Sequence, residues 1–148
     1  MVKSLYEEKV IMGEVRVKVK LINAIDEGLA RRGQISAKEV RVYETEAVVD
    51  TGSVSPVLPI HVVQQLGLQL VRKTSATLAN ASNIIVDITE AVGIDIDGRR
   101  TTLEAVVTGD EVLIGQTVLE TVDMFVDCVN QKLIPNPAHP DQPVLKLK

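Results

Sequence analysis

Residues 14–22 alternate strictly, with Val15, Val17, Val19 and Leu21 on one parity and Arg16, Lys18 and Lys20 on the other. A period of two predicts a strand with one buried face. Asn23 then reads as a helix cap, followed by Asp26 and Glu27 in a first turn and by Arg31 and Arg32 ahead of Gly33. One or two helical turns are expected there, interrupted only by Gly28. Residues 39–50 start as an alternation through Val40 and Val42 and end as the continuous run Ala47-Val48-Val49. That change marks a strand passing from the surface into the core, and it stops at Asp50-Thr51-Gly52. Residues 59–68 carry Val62, Val63 and Leu66 at helical spacing, with Gly67 to close a short helix.

A strand over 74–78 leads into the small polar cluster Ala79-Asn80-Ala81-Ser82-Asn83, which is suited to a hairpin tip. From Ile84 a long alternation puts Val86, Ile88, Val92, Ile94 and Ile96 on one face, ending at the hairpin signal Asp97-Gly98 and returning over 101–107. Thr108-Gly109-Asp110 turns the chain, 112–114 reads as a buried strand, and Gly115 leads into one or two helical turns over 116–121. Residues 125–129 are expected to be a last core strand, with Cys128 buried in it. Pro135, Pro137, Pro140 and Pro143 keep the tail extended. The expected class is all-β, mainly strands with one or two short helices, in a closed or strongly curled sheet. The expected organisation is a leader or edge segment over 1–13, one domain over 14–134 and a Pro-rich tail over 135–148.

The composition narrows what such a domain does. At 148 residues, with 24% charged and 45% hydrophobic, the chain has the size of one domain and is too short for a two-lobed enzyme. A net charge of -4 gives no footprint for phosphate backbones or anionic lipid, so neither nucleic acid nor membrane is an expected partner. Tyr6, Tyr43 and Phe125 are the only aromatics, which leaves an aliphatic core and no stacking platform. A single cysteine and two histidines, His61 and His139, build neither a disulfide nor a metal centre, and no cofactor is expected. Mixed charges at Lys3, Glu7, Glu8 and Lys9, with no apolar run of about 18 residues, point to a cytoplasmic chain.

Chemistry concentrates at Asp50-Thr51-Gly52-Ser53. As a bare tripeptide it is a turn, but Ala47-Val48-Val49 puts its carboxylate at the end of a buried strand, where ionisation is costly without donors. A later apolar-apolar-Gly unit, Leu113-Ile114-Gly115, leads into a short helix just as Asp50-Thr51-Gly52 does, so the halves form a weak internal repeat. This pairing resembles the retropepsin-type aspartic proteases, the single-lobed relatives of pepsin, in their bacterial branch. The matching residues are 47–53, then 112–115 with Leu119-Glu120 and Val126-Asp127, and the likeness extends over 14–135.

The resemblance implies an aspartic endopeptidase that needs neither metal nor cofactor and acts on peptide or protein substrates. Each chain has one Asp-Thr-Gly, so it carries half of a pepsin-type site and a homodimer is required, with Asp50 facing its symmetry mate. By the same likeness Thr51 bonds across the dimer, Gly52 donates to the carboxylates and Ser53 bonds the outer Asp50 oxygen. Ala79, Asn80, Ala81 and Ser82 occupy the position of the substrate-covering flap, with Asn80 suited to a left-handed turn, and Ile84 with Val54, Val57 and Ile85 lines the pocket. The alternative is an inactive homodimer of the same fold serving as a binding module.

Other features have plainer readings. Asp95-Ile96-Asp97-Gly98 is a hairpin rather than a calcium loop, because Ile96 belongs to an apolar face and a third ligand is missing. His61 is expected at the surface, and Asp87, Asp123 and Asp127 are expected to be solvated.

Overall fold

A computed structural model describes residues 14–147. Its elements are β1 (Val15–Asn23), α1 (Ala24–Arg31), a 3-10 turn (Ala37–Glu39), β2 (Val42–Val49), β3 (Val57–Leu58), α2 (Ile60–Leu66), β4 (Leu70–Thr77) and β5 (Asn83–Thr89). They continue with β6 (Val92–Ile96), β7 (Arg99–Leu103), β8 (Val106–Val107), β9 (Leu113–Ile114), α3 (Gln116–Val122), β10 (Met124–Asp127) and β11 (Lys132–Pro135). The fold is mainly β, with three short α-helices among the described residues where one or two were expected. The proposed leader over 1–13 lies outside the described residues.

Nine strands form one sheet in the order β4-β5-β8-β3-β9-β2-β1-β6-β7, and β10 pairs with β11 in a second, small sheet. Connectivity forces the large sheet to curl. Only Glu90 and Ala91 join β5 to β6, yet five strands separate them in the sheet order. Flat, those strands would stand about 29 Å apart, whereas three peptide steps reach about 11 Å. The sheet therefore wraps around a single aliphatic core, to which Leu21, Ala47, Leu58, Ile94 and Ile114 contribute from five different strands. Val62 and Leu66 of α2 and Val118 and Val122 of α3 complete it.

Local chemistry accounts for the elements. Along β1 the valines and Leu21 turn inward while Arg16, Lys18 and Lys20 face out. The Asn23 side chain accepts from the Asp26 amide to start α1 and donates through Nδ2 to the Leu66 carbonyl, which ties α1 to the end of α2. Gly67 ends α2 at φ 64, the left-handed closure its position implied. The Asp97-Gly98 turn has φ of 52° and 83°, the pair of positive values that a two-residue hairpin needs.

Three expectations are corrected. The alternation from Ile84 is two strands, because Thr89 is fully buried at a corner where its hydroxyl accepts from the Ala105 amide and turns the chain from β5 to β6. Val86, Ile88, Val92, Ile94 and Ile96 are nonetheless all buried, since both strands line the same curled interior. The return segment likewise breaks at Glu104 and Ala105, between β7 and β8. Finally, residues 125–129 are not a core strand: Asp127 accepts from the amides of Val129 and Asn130 and ends β10 in a turn. Cys128 is exposed there rather than buried, and the chain doubles back as β11.

Candidate active site

β2 delivers Asp50 to the end of the sheet. Its last residues pair in parallel with β9, Val48 with Leu113 and Val49 with Ile114, and the Asp50 amide donates to the Ile114 carbonyl at 2.9 Å. The apolar residues ahead of Asp50 thus lie beside Leu113 and Ile114 of the second half of the weak repeat. The loop after Asp50 then crosses the start of α3. Gln116 and Thr117 donate their backbone amides to the carbonyls of Ser53 and Val54, at 2.7 and 3.1 Å. These are donors that the first turn of a helix leaves unpaired, so the loop and the helix satisfy each other.

Gly115 makes that crossing possible. A Cβ at this position would lie 2.5, 2.8 and 2.9 Å from the carbonyl oxygens of Ser53, Ser55 and Val54. All three are backbone atoms, so no side-chain adjustment relieves the overlap. Sequence reading assigned Gly115 a place in the repeat and missed this packing role. Its position between an apolar pair and a helix start is the signal that pointed there.

Asp50 itself is half-buried, less enclosed than the preceding apolar run implied, and Thr51 and Gly52 beyond it are exposed. The strand enters the core at Ala47, but its end emerges at the rim. The Gly52 amide donates to Asp50 Oδ1 at 3.0 Å, the bond expected of it. Ser53 differs: its hydroxyl donates to the Ser55 carbonyl at 2.8 Å rather than to the Asp50 carboxylate. A hydroxyl has one proton, and the tight bend at Ser55 captures it.

Asp50, Gly52 and Ser53 open onto a cleft of about 800 Å³. Val54, Val57, Val106 and Leu113 line it together with Ala76, Leu78, Ala79, Ile84 and Val86 of the β4–β5 hairpin. Val54, Val57 and Ile84 therefore face the cleft as expected, whereas Ile85 points away and is 68% exposed, as the alternation of a strand requires. Of the flap candidates, Ala79 lines the cleft while Asn80, Ala81 and Ser82 form the exposed tip beyond it.

The tip solves its turn differently from expectation. Ala81, not Asn80, takes the left-handed conformation, at φ 67. Asn80 instead uses its side-chain oxygen to accept from the Ser82 amide at 3.0 Å, closing the turn from within. A left-handed alanine costs on the order of 1 kcal/mol.

A second carboxylate site escaped sequence reading. Asp123, expected to be solvated, has its side chain only 12% exposed. It accepts from Asn136 Nδ2 at 2.9 Å and from the Val144 amide at 3.1 Å, and it pairs with His139 Nδ1 at 2.6 Å. The Asn136 bond, helped by the Val144 amide and by His139, holds the Asp123 carboxyl below its ordinary range. Buried Arg99 donates to the carbonyls of Val122, Asp123 and His139 alongside. This network pins the Pro-rich tail to the end of α3. Asp87 pairs with Lys73 at 2.7 Å, and His61 is exposed as expected.

No family model matches the sequence, and no curated protein matches it. Among solved structures, the retroviral protease-like domain of Ddi1 from Leishmania major superposes with a TM-score of 0.52 at 13% identity, over 84% of this chain and 89% of that one. The simian foamy virus (mac) protease gives 0.44 at 10% identity, over 70% and 90%. The EIAV protease complexed with the inhibitor HBY-793 gives 0.43 at 22% identity, over 52% and 75%. The fold is retropepsin-like. Among the described residues no helix is long and apolar enough to cross a membrane.

Proposed function

We propose that two copies of this chain form an aspartic endopeptidase whose site is built from Asp50 of each. The observation that carries the reading is the Asp50-Thr51-Gly52 loop at the end of β2, seated on Gly115 and opening with the β4–β5 hairpin onto one apolar-walled cleft. Two carboxylates brought together at a dyad cannot both ionise, so they share one proton. The ionised member takes a proton from a water, whose oxygen attacks the scissile carbonyl carbon, while the protonated member donates to the carbonyl oxygen. Collapse of the resulting diol passes a proton to the amide nitrogen and breaks the C–N bond. The products are a carboxylic acid and an amine, and the dyad again holds one proton.

Thr51 and Gly52 are exposed in the single chain, which suits a surface awaiting a mate. In the dimer Thr51 bonds across the dyad and Gly52 holds the carboxylates. Ser53 supports the loop, and residues 79–82 cover bound substrate with Ile84 beneath them. The proposed organisation is a catalytic domain over 14–134 with a tail over 135–148, in a cytoplasmic enzyme of the bacterial branch that uses no metal, nucleic acid or membrane. Wild-type protein should cleave an unstructured polypeptide and run as a dimer, and Asp50→Asn should abolish cleavage while leaving the dimer intact. Cleavage that survives Asp50→Asn would refute the reading. The glycine-free tip, with its left-handed Ala81, favours one second reading, an inactive dimer that binds peptides without hydrolysing them.

A further inference from the structure

The charges around the cleft are one-sided. Among the described residues, three carboxylates, Asp50, Asp110 and Glu111, line it, and no lysine, arginine or histidine does. Glu111 already has a cation partner, since its Oε1 accepts from Arg16 Nη2 at 2.8 Å, though Arg16 is shared with Glu14. Asp110 has no ion pair or side-chain hydrogen bond among the described residues, and it is exposed in the turn that Gly109 makes at φ 69. It stands in the β8–β9 connection, three residues ahead of Leu113, which is paired with Val48. In that parallel register Asp110 and Asp50 are offset along the strands by at most about 16 Å, the reach of about five residues of an extended peptide.

Resting on the reading of the cleft as a peptide-binding site, we propose that Asp110 is a specificity-determining residue that selects substrates carrying lysine or arginine two to five residues from the scissile bond. The apolar walls take the side chains flanking the cleaved bond, and the unpaired carboxylate takes the cation further out. Its energy is that of a solvent-exposed ion pair, so the selection is graded rather than absolute and weakens with salt. In a two-fold dimer each end of the cleft has its own Asp110, so a cation is favoured on either side of the cut.

The test uses peptides with a common apolar centre and Lys, Gln or Glu at each position two to five residues away. Binding is measured to full-length Asp50→Asn protein with and without Asp110→Asn or Asp110→Lys, and cleavage is measured with the wild type. The expected order is Lys tighter than Gln and Gln tighter than Glu, by about two- to fivefold per step at low salt. That order should vanish in Asp110→Asn and invert in Asp110→Lys. Affinity independent of peptide charge, or a preference that persists in Asp110→Asn, overturns the proposal. Failure of the wild type to cleave any peptide that binds overturns the protease reading instead, because the binding arm decides the charge preference by itself.

Discussion

Two aspartates, Asp26 at the α1 end of the molecule and Asp50 at the cleft, meet opposite fates. Asp26 is buried, with both carboxylate oxygens taken by Arg41: Nε and the backbone amide donate to Oδ2 at 2.8 and 3.0 Å, and Nη2 to Oδ1 at 2.9 Å. The Arg41 hydrogen bond holds its carboxyl below the ordinary range against the opposing effect of burial. Asp50 is half-buried and accepts one backbone amide, from Gly52. One carboxylate is completed within its own chain. The other keeps most of its hydrogen-bonding capacity open, and an open carboxylate at a cleft is available to a water, a substrate or a second copy.

The contrast breaks most sharply under paired substitution. Asp50→Asn should lower turnover by at least about 100-fold, the smaller end of what acid–base catalysis supplies, and change stability by less than about 0.5 kcal/mol. Asp26→Asn should do the reverse, costing about 2 kcal/mol of stability through its lost charge-assisted bonds and leaving turnover per folded molecule unchanged. Denaturant titration and peptide cleavage on the same samples separate the two. A large stability loss from Asp50→Asn would place it with the structural carboxylates.

Gly115→Ala comes next, because it acts on the cleft without touching a carboxylate. Overlap with three backbone oxygens should cost about 1–3 kcal/mol, and the displaced loop should lose turnover beyond that stability loss. Unchanged turnover would mean that the loop need not sit on α3.

Sequence made much of this legible where one local rule governed. The β1 alternation, the Asn23 cap, the Gly67 closure and the Asp97-Gly98 turn each depend on residues within a few positions of one another, and all formed as read. Two failures share one cause, a partner distant in sequence: Thr89 turns the chain because Ala105 meets it, and Asp123 is enclosed by a tail thirteen to twenty-one residues further on. Ser53 failed locally, because the Ser55 carbonyl two residues on takes its proton. Cys128 was misplaced because an apolar spelling outweighed the Asp127 turn that exposes it. At the site, the Asp50 loop at the end of a strand was readable, whereas the pairing of that strand with β9 appears only in the fold. The free Asp110 was not, because only folding reveals which acids find a cation partner.

Acid should separate the regions by a smaller effect. Asp26 and Asp123 both have depressed values in the folded chain. Each therefore contributes stability that is present above the unfolded carboxyl value near 3.9 and is lost as pH falls through its folded value. Stability should stay level down to about pH 4 on their account and fall below it, and Asp26→Asn should flatten that fall. An identical acid limb in the variant would show that Asp26 is not its source.

Ala81→Gly should have the least effect on stability, because relief of the left-handed alanine, about 1 kcal/mol, is offset by the entropy of an unfolded glycine. Its expected signature is a modest rise in kcat with stability unchanged, read from initial rates. A fall in kcat would mean that the stiff tip is needed for closure.

The central claim is that one active site needs Asp50 from two chains. Its most direct test holds wild-type protein at a fixed concentration and adds increasing Asp50→Asn protein under conditions that allow subunit exchange. Activity should fall toward zero as wild-type chains are drawn into mixed dimers that hold a single Asp50. Activity that stays constant through a large excess of Asp50→Asn protein would contradict the claim.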